Sequence, residues 1–66
     1  MATYRINTEC GLSVIEAETL EAAKEQYERE RHYSFDNVDE CPGSWYRIWD
    51  EAGSNIDNSA YIPDRM

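Results

Sequence analysis

The chain predicts an α+β fold: a small antiparallel sheet in the order β-β-α-β-β with one amphipathic helix packed on one face, in a single compact domain over residues 1–66. Three patterns carry that expectation. Polar and apolar side chains alternate over residues 3–9 and again over 45–50, the period of a half-buried strand. Between these segments apolar residues recur at three- and four-residue spacing, the period of one helix face. The two hairpin joints are short and hold glycine, so the strands they join pair antiparallel.

In the first segment Tyr4, Ile6 and Thr8 share one face and Arg5, Asn7 and Glu9 the other. Cys10 and Gly11 supply the turn, because glycine takes up a positive φ without steric penalty. Residues 12–17 form a second short strand, β-branched at Val14 and Ile15. Thr19 suits the N-cap of a helix from Leu20 to about His32, with Glu21 in the first turn, where the helix dipole favours a negative charge. Leu20, Ala23 and Tyr27 make a narrow apolar stripe, which needs a sheet to lie against. Residues 33–44 hold a Pro42-Gly43 turn and no clean period, and read as a connection anchored by Phe35 and Val38. The strand at 45–50 sets Trp45, Arg47 and Trp49 against Tyr46, Ile48 and Asp50, and its alternation leaves open which set meets the helix. Glu51-Ala52-Gly53-Ser54 is a hairpin turn into a weaker strand near Asn55 to Asp57, and Tyr61 and Ile62 are docking residues ahead of Pro63.

Fourteen Asp and Glu against six Lys and Arg give a net charge of -8 in 66 residues. Such a charge raises the possibility of a disordered acidic tail. The 41% apolar and 12% aromatic content argues instead for a folded domain with one small core. Met1 to Arg5 shows no basic leader ahead of an apolar run, and no stretch approaches the roughly 20 apolar residues of a membrane span. The expected protein is soluble, cytoplasmic and monomeric. Nucleic acid and anionic lipid are both polyanions, so the charge disfavours direct binding to either and points to a partner rich in Lys and Arg. Cys10 and Cys41 form no CxxC pair and no zinc set. They read either as free thiols or as one disulfide that would stabilise by roughly 3 to 4 kcal/mol. No cofactor or metal is expected.

On a helical wheel Glu18, Glu21, Glu25 and Glu28 fall within an arc of about 80°, away from the apolar stripe. Lys24 and Arg29 partly neutralise them. Over roughly 15 Å they place one carboxylate per about 5 Å, against one phosphate per about 3.4 Å along a DNA strand. Asp36, Asp39 and Glu40 follow in the connection, and Asp50 and Glu51 at the next turn. The ordinary alternative is a solvated helix face and loops that favour Asp. Trp45, Tyr46 and Trp49, with Arg47, read as core on one side and as interface anchors on the other. Catalysis is not expected. His32 suits a helix C-terminus, Ser13 and Ser34 lack a nucleophile-elbow context, and Asp50 to Asp57 lacks the alternating ligands of an EF-hand.

In its acidic ridge, its β-β-α-β-β order and its short length, the whole chain resembles the small acidic proteins with which phages disarm bacterial defences, above all anti-CRISPR proteins that mimic DNA. These share no sequence motif, so no residue role transfers. The resemblance implies an inhibitor whose acidic surface, here Glu18, Glu21, Glu25, Glu28, Asp36, Asp39 and Glu40, occupies a basic nucleic-acid-binding groove and blocks DNA binding. The implied partner is the DNA-recognition subunit of a CRISPR surveillance complex. The alternative is a regulatory module without mimicry that docks through Trp45, Arg47 and Trp49.

Overall fold

The computed structural model describes residues 1–59, so Tyr61, Ile62 and Pro63 lie outside it. Its strands are β1 (Ala2–Thr8), β2 (Gly11–Ala17), β3 (Tyr46–Trp49) and β4 (Asn55–Asn58), with helix α1 (Leu20–Arg31) and a 3-10 helix (Phe35–Glu40) between β2 and β3. The strands form one sheet in the order β2-β1-β3-β4, and every neighbouring pair is antiparallel. The α+β expectation holds. The connection anticipated at 33–44 contains a 3-10 helix, which six residues without apolar period could not announce.

Each local element has a chemical cause. The two-residue joint Glu9-Cys10 is closed by Thr8, whose Oγ1 accepts the Cys10 N–H at 3.0 Å, while Gly11 takes φ +114°. Thr19 caps α1 by accepting the Ala22 N–H at 3.1 Å. The helix ends at Arg31, and His32 adopts a left-handed cap at φ 53° whose N–H bonds the Glu28 carbonyl. Asp50 builds the last turn: its carboxylate accepts the Ala52 and Ser54 N–H groups, both at 2.9 Å, and Gly53 supplies φ +82°.

The core lies on one side of the sheet. Tyr4, Ile6, Ile15, Ala17 and Ile48 point there and pack with Ala23 and Tyr27 of α1 and Phe35 of the 3-10 helix. Of the two expected anchors of the connection, Phe35 joins this cluster, and Val38 is buried outside it. Tyr46 packs against this cluster, so Tyr46 and Ile48, and not Trp45 and Trp49, face the helix. Tyr27 and Thr8 share a buried hydrogen bond of 2.8 Å, which satisfies both hydroxyls inside an apolar core. Tyr27, Tyr33, Phe35 and Tyr46 then follow one another edge to face, with centroid distances of 4.8 to 5.5 Å, and Tyr27 also meets Phe35 at a tilt, 5.7 Å away.

Candidate functional site

The acidic residues divide into those the fold uses and those it leaves free. Glu9 accepts the Trp45 N–H at 3.1 Å, Glu28 the Phe35 N–H at 3.0 Å and Glu51 the Thr3 N–H at 2.9 Å. Asp50 holds its own turn, Asp57 pairs with Lys24, and Glu30 accepts from Gln26. Glu9, Glu51 and Asp57 fasten segments distant in sequence, whereas Glu28, Glu30 and Asp50 hold nearby chain. Among the described residues Glu16, Glu18, Glu21, Glu25, Asp36, Asp39 and Glu40 have no side-chain hydrogen bond or ion pair, and all seven are exposed.

The expected ridge changes shape in three places. Glu18 is not on the helix, because it precedes the Thr19 cap. Glu28 does lie on the predicted face but is half-buried and already committed to Phe35. Lys24, expected to neutralise its helical neighbours, instead reaches across to β4: its Nζ lies 2.7 Å from Asp57 and 5.2 and 5.1 Å from the rings of Phe35 and Tyr46. Burial alone would lower the Lys24 pKa, but the hydrogen bond to Asp57 and the negative charge available at Tyr46 and Asp57 raise it above the ordinary lysine value. Burial, reinforced by the charge of Glu9, raises the Tyr33 hydroxyl well above the usual tyrosine value, and that hydroxyl donates to the Trp45 carbonyl at 3.2 Å.

What remains is a connected acidic surface. Glu21, Glu25 and Glu28 of α1 and Asp36 of the 3-10 helix line one shallow depression of about 240 Å³, with Lys24 and Phe35 at its base. Glu18 and Glu16 join Glu25 in a second, of about 320 Å³, which also holds Arg29. Glu25 is common to both. Asp39 and Glu40, further along the 3-10 helix, line neither. Glu16, which strand alternation sets on the far side of β2 from the core, is an addition that wheel reasoning on the helix could not reach.

The opposite face of the sheet carries no helix among the described residues. The strand registers place Val14, Arg5 and Trp49 in one row across β2, β1 and β3, and Leu12, Asn7, Arg47 and Asn58 in the next row across all four strands. Leu12 and Val14 are 58% and 61% exposed. Trp45 precedes β3 on the same side, with the Arg47 guanidinium 5.2 Å from its ring. The sequence-based alternative set of Trp45, Arg47 and Trp49 is thus brought together on an open face.

Among the described residues no group of three or more His, Cys, Asp or Glu is placed to hold a metal ion, and no helix is long and apolar enough to cross a membrane. Cys10 and Cys41 are free and exposed. His32, Glu9 and Cys41 border one open depression of about 270 Å³ next to Tyr33. No protein-family model, curated protein or solved structure matches the chain.

Proposed function

We propose that this protein is an inhibitor of the anti-CRISPR kind, which acts in a bacterial host cytoplasm by filling a basic nucleic-acid-binding groove of a defence complex and so excluding DNA. It works by occupancy and not by turnover. The observation that supports the reading is the convergence of Glu21, Glu25 and Glu28 with Asp36, from two different helices, around one depression. Glu21 to Glu28 spans about 10 Å of helix, close to three phosphate spacings along a DNA strand. Lysine and arginine that pair with phosphate pair equally with carboxylate, and a helix anchored by Tyr27 presents its carboxylates without the ordering cost of a flexible tail.

The test uses the immobilised full-length chain and a lysate of a bacterium that carries a CRISPR system. Basic nucleic-acid-binding proteins should be retained at about 50 mM salt and released near 200 mM, or by added duplex DNA. Replacing Glu21, Glu25 and Asp36 together by lysine should reduce affinity for the captured protein by roughly 100-fold, at about 1 kcal/mol per exposed ion pair. Glu28 is left intact in that variant because it holds Phe35. Undiminished capture by the folded triple variant would sink the proposal. A salt-tolerant complex abolished by Trp49→Ala would instead favour docking through Trp45, Arg47 and Trp49.

A further inference from the structure

We infer that the sheet face that carries no helix among the described residues is a self-association surface, and that its occupant is a second copy of this chain. Charge placement is the first reason. The chain carries -8, so two copies repel over most of their surfaces. Among the described residues the paired rows of this face carry Arg5 and Arg47 against Glu16, and at its two ends Glu9 and Glu51 are held by the Trp45 and Thr3 amides. Two arginines offset the acids on this side, so two strongly acidic copies meet there with less repulsion than across the acidic surface of α1. Nucleic acid would meet the same two arginines, but it would also meet the field of the remaining acids.

Self-complementarity is the second reason. A two-fold axis in the plane of the sheet and along the strands lays β1 of one copy over β3 of the other, which sets Arg5 over Trp49 and Arg47 over Asn7. An axis across the strands sets Arg47 over Trp49 and Val14 over Leu12. Either operation brings a guanidinium onto an indole, and neither opposes arginine to arginine or Glu16 to itself. Leu12 and Val14, the two most exposed large apolar side chains within the described strands, supply the area to be covered.

The size of the face fixes the strength to look for. Two strands of seven residues and two of four make a patch of about 350 Å², less than half the area per partner of a standard interface. The association to look for is therefore weak, of the order of tens to hundreds of micromolar, so that the dimer forms at high local concentration. This departs from the monomer expected from the sequence.

Sedimentation equilibrium of the full chain from about 10 µM to 1 mM, with tryptophan emission recorded alongside, tests the inference. Trp45 and Trp49 are the chain's two tryptophans and both lie on this face, so emission should shift to shorter wavelength as dimer forms. Association should tighten several-fold at about 0.5 M salt, where repulsion between acidic copies is screened. The salt effect is opposite in sign to that expected for capture of a basic partner, and the lysine triple variant of the acidic surface should still dimerise, so the two proposals fail separately. Val14→Lys should weaken association at least about tenfold with an unchanged circular dichroism spectrum. Because it lowers the net negative charge, added repulsion between whole molecules cannot account for the loss. Trp49→Ala should act in the same direction. A chain that stays monomeric to 1 mM in high salt, or a dimer indifferent to both substitutions, overturns the inference.

Discussion

The two sides of one sheet behave as different materials. On the helix side Ile6 and Ile48, paired across β1 and β3, are both fully buried. On the other side their immediate neighbours Arg5, Arg47 and Trp49 meet solvent, with Leu12 and Val14 beside them on β2. Strand periodicity produces this contrast without help, since successive side chains point to opposite faces. The contrast shows that in a domain this small, cohesion comes from one face and its helix, and the second face is free to vary or to bind.

The largest effect should come from the buried side. Tyr27→Ala removes a buried ring and leaves the Thr8 hydroxyl with the Cys10 N–H alone. A loss of about 3 to 5 kcal/mol is expected, comparable with the total stability of roughly 3 to 10 kcal/mol for a domain of this length. Val14→Ala on the open side should stay within about 0.5 kcal/mol. Urea unfolding followed by circular dichroism measures both, and equal costs would erase the distinction between the faces.

A smaller effect separates acids that fasten from acids that project. Glu28→Ala deprives the Phe35 N–H of its acceptor and should cost about 1 to 2 kcal/mol in the same assay. Glu25→Ala, one helical turn earlier, should be neutral or slightly stabilising, because it relieves like-charge repulsion. If both were neutral, the division of the carboxylates into two classes would fail.

The smallest effect is expected at Lys24, which ties α1 to the sheet edge through Asp57. Lys24→Met should cost about 1 kcal/mol near neutral pH. The pKa values of Lys24 and Tyr33 are both raised in the folded state, so each favours folding fully below its unfolded value, near 10.5 and 10.0. That contribution is lost as pH climbs through and beyond those values. Stability measured by urea melts should hold level from neutrality to about pH 9.5 and decline above it, with a shallower decline in Lys24→Met.

Much of this was legible in the sequence, and the exceptions share a cause. Alternation and turn chemistry located all four strands, and Thr19 located the start of the helix, because these signals are local. The buried face of β3 was not legible: Trp45 and Trp49 are as apolar as Tyr46 and Ile48, and only packing against Phe35 and Tyr27 decides between them. Nor were the fastening carboxylates. Glu9 finds the Trp45 amide 36 residues away, and Lys24 finds Asp57 at a separation of 33, contacts that no helical wheel contains. Of the acidic site read from the sequence, Glu21, Glu25 and Asp36 come together as free groups. Glu18 joins them from outside the helix, Glu28 is shared with the fold, and Asp39 and Glu40 stand apart.

The position of β1 in the middle of the sheet also sets the order in which the molecule can assemble. Its hairpin with β2 closes over two residues, whereas its pairing with β3 must bring Thr8 to Tyr46. Closing that longer loop costs chain entropy before any non-local contact rewards it, so topology ties completion of the core to the slowest encounter in the chain. On the ribosome, a nascent chain released only through residue 40 contains the residues of the hairpin and the helix but lacks Ile48. The N-terminal strand therefore waits, with one edge open, for the last third of the sequence to emerge.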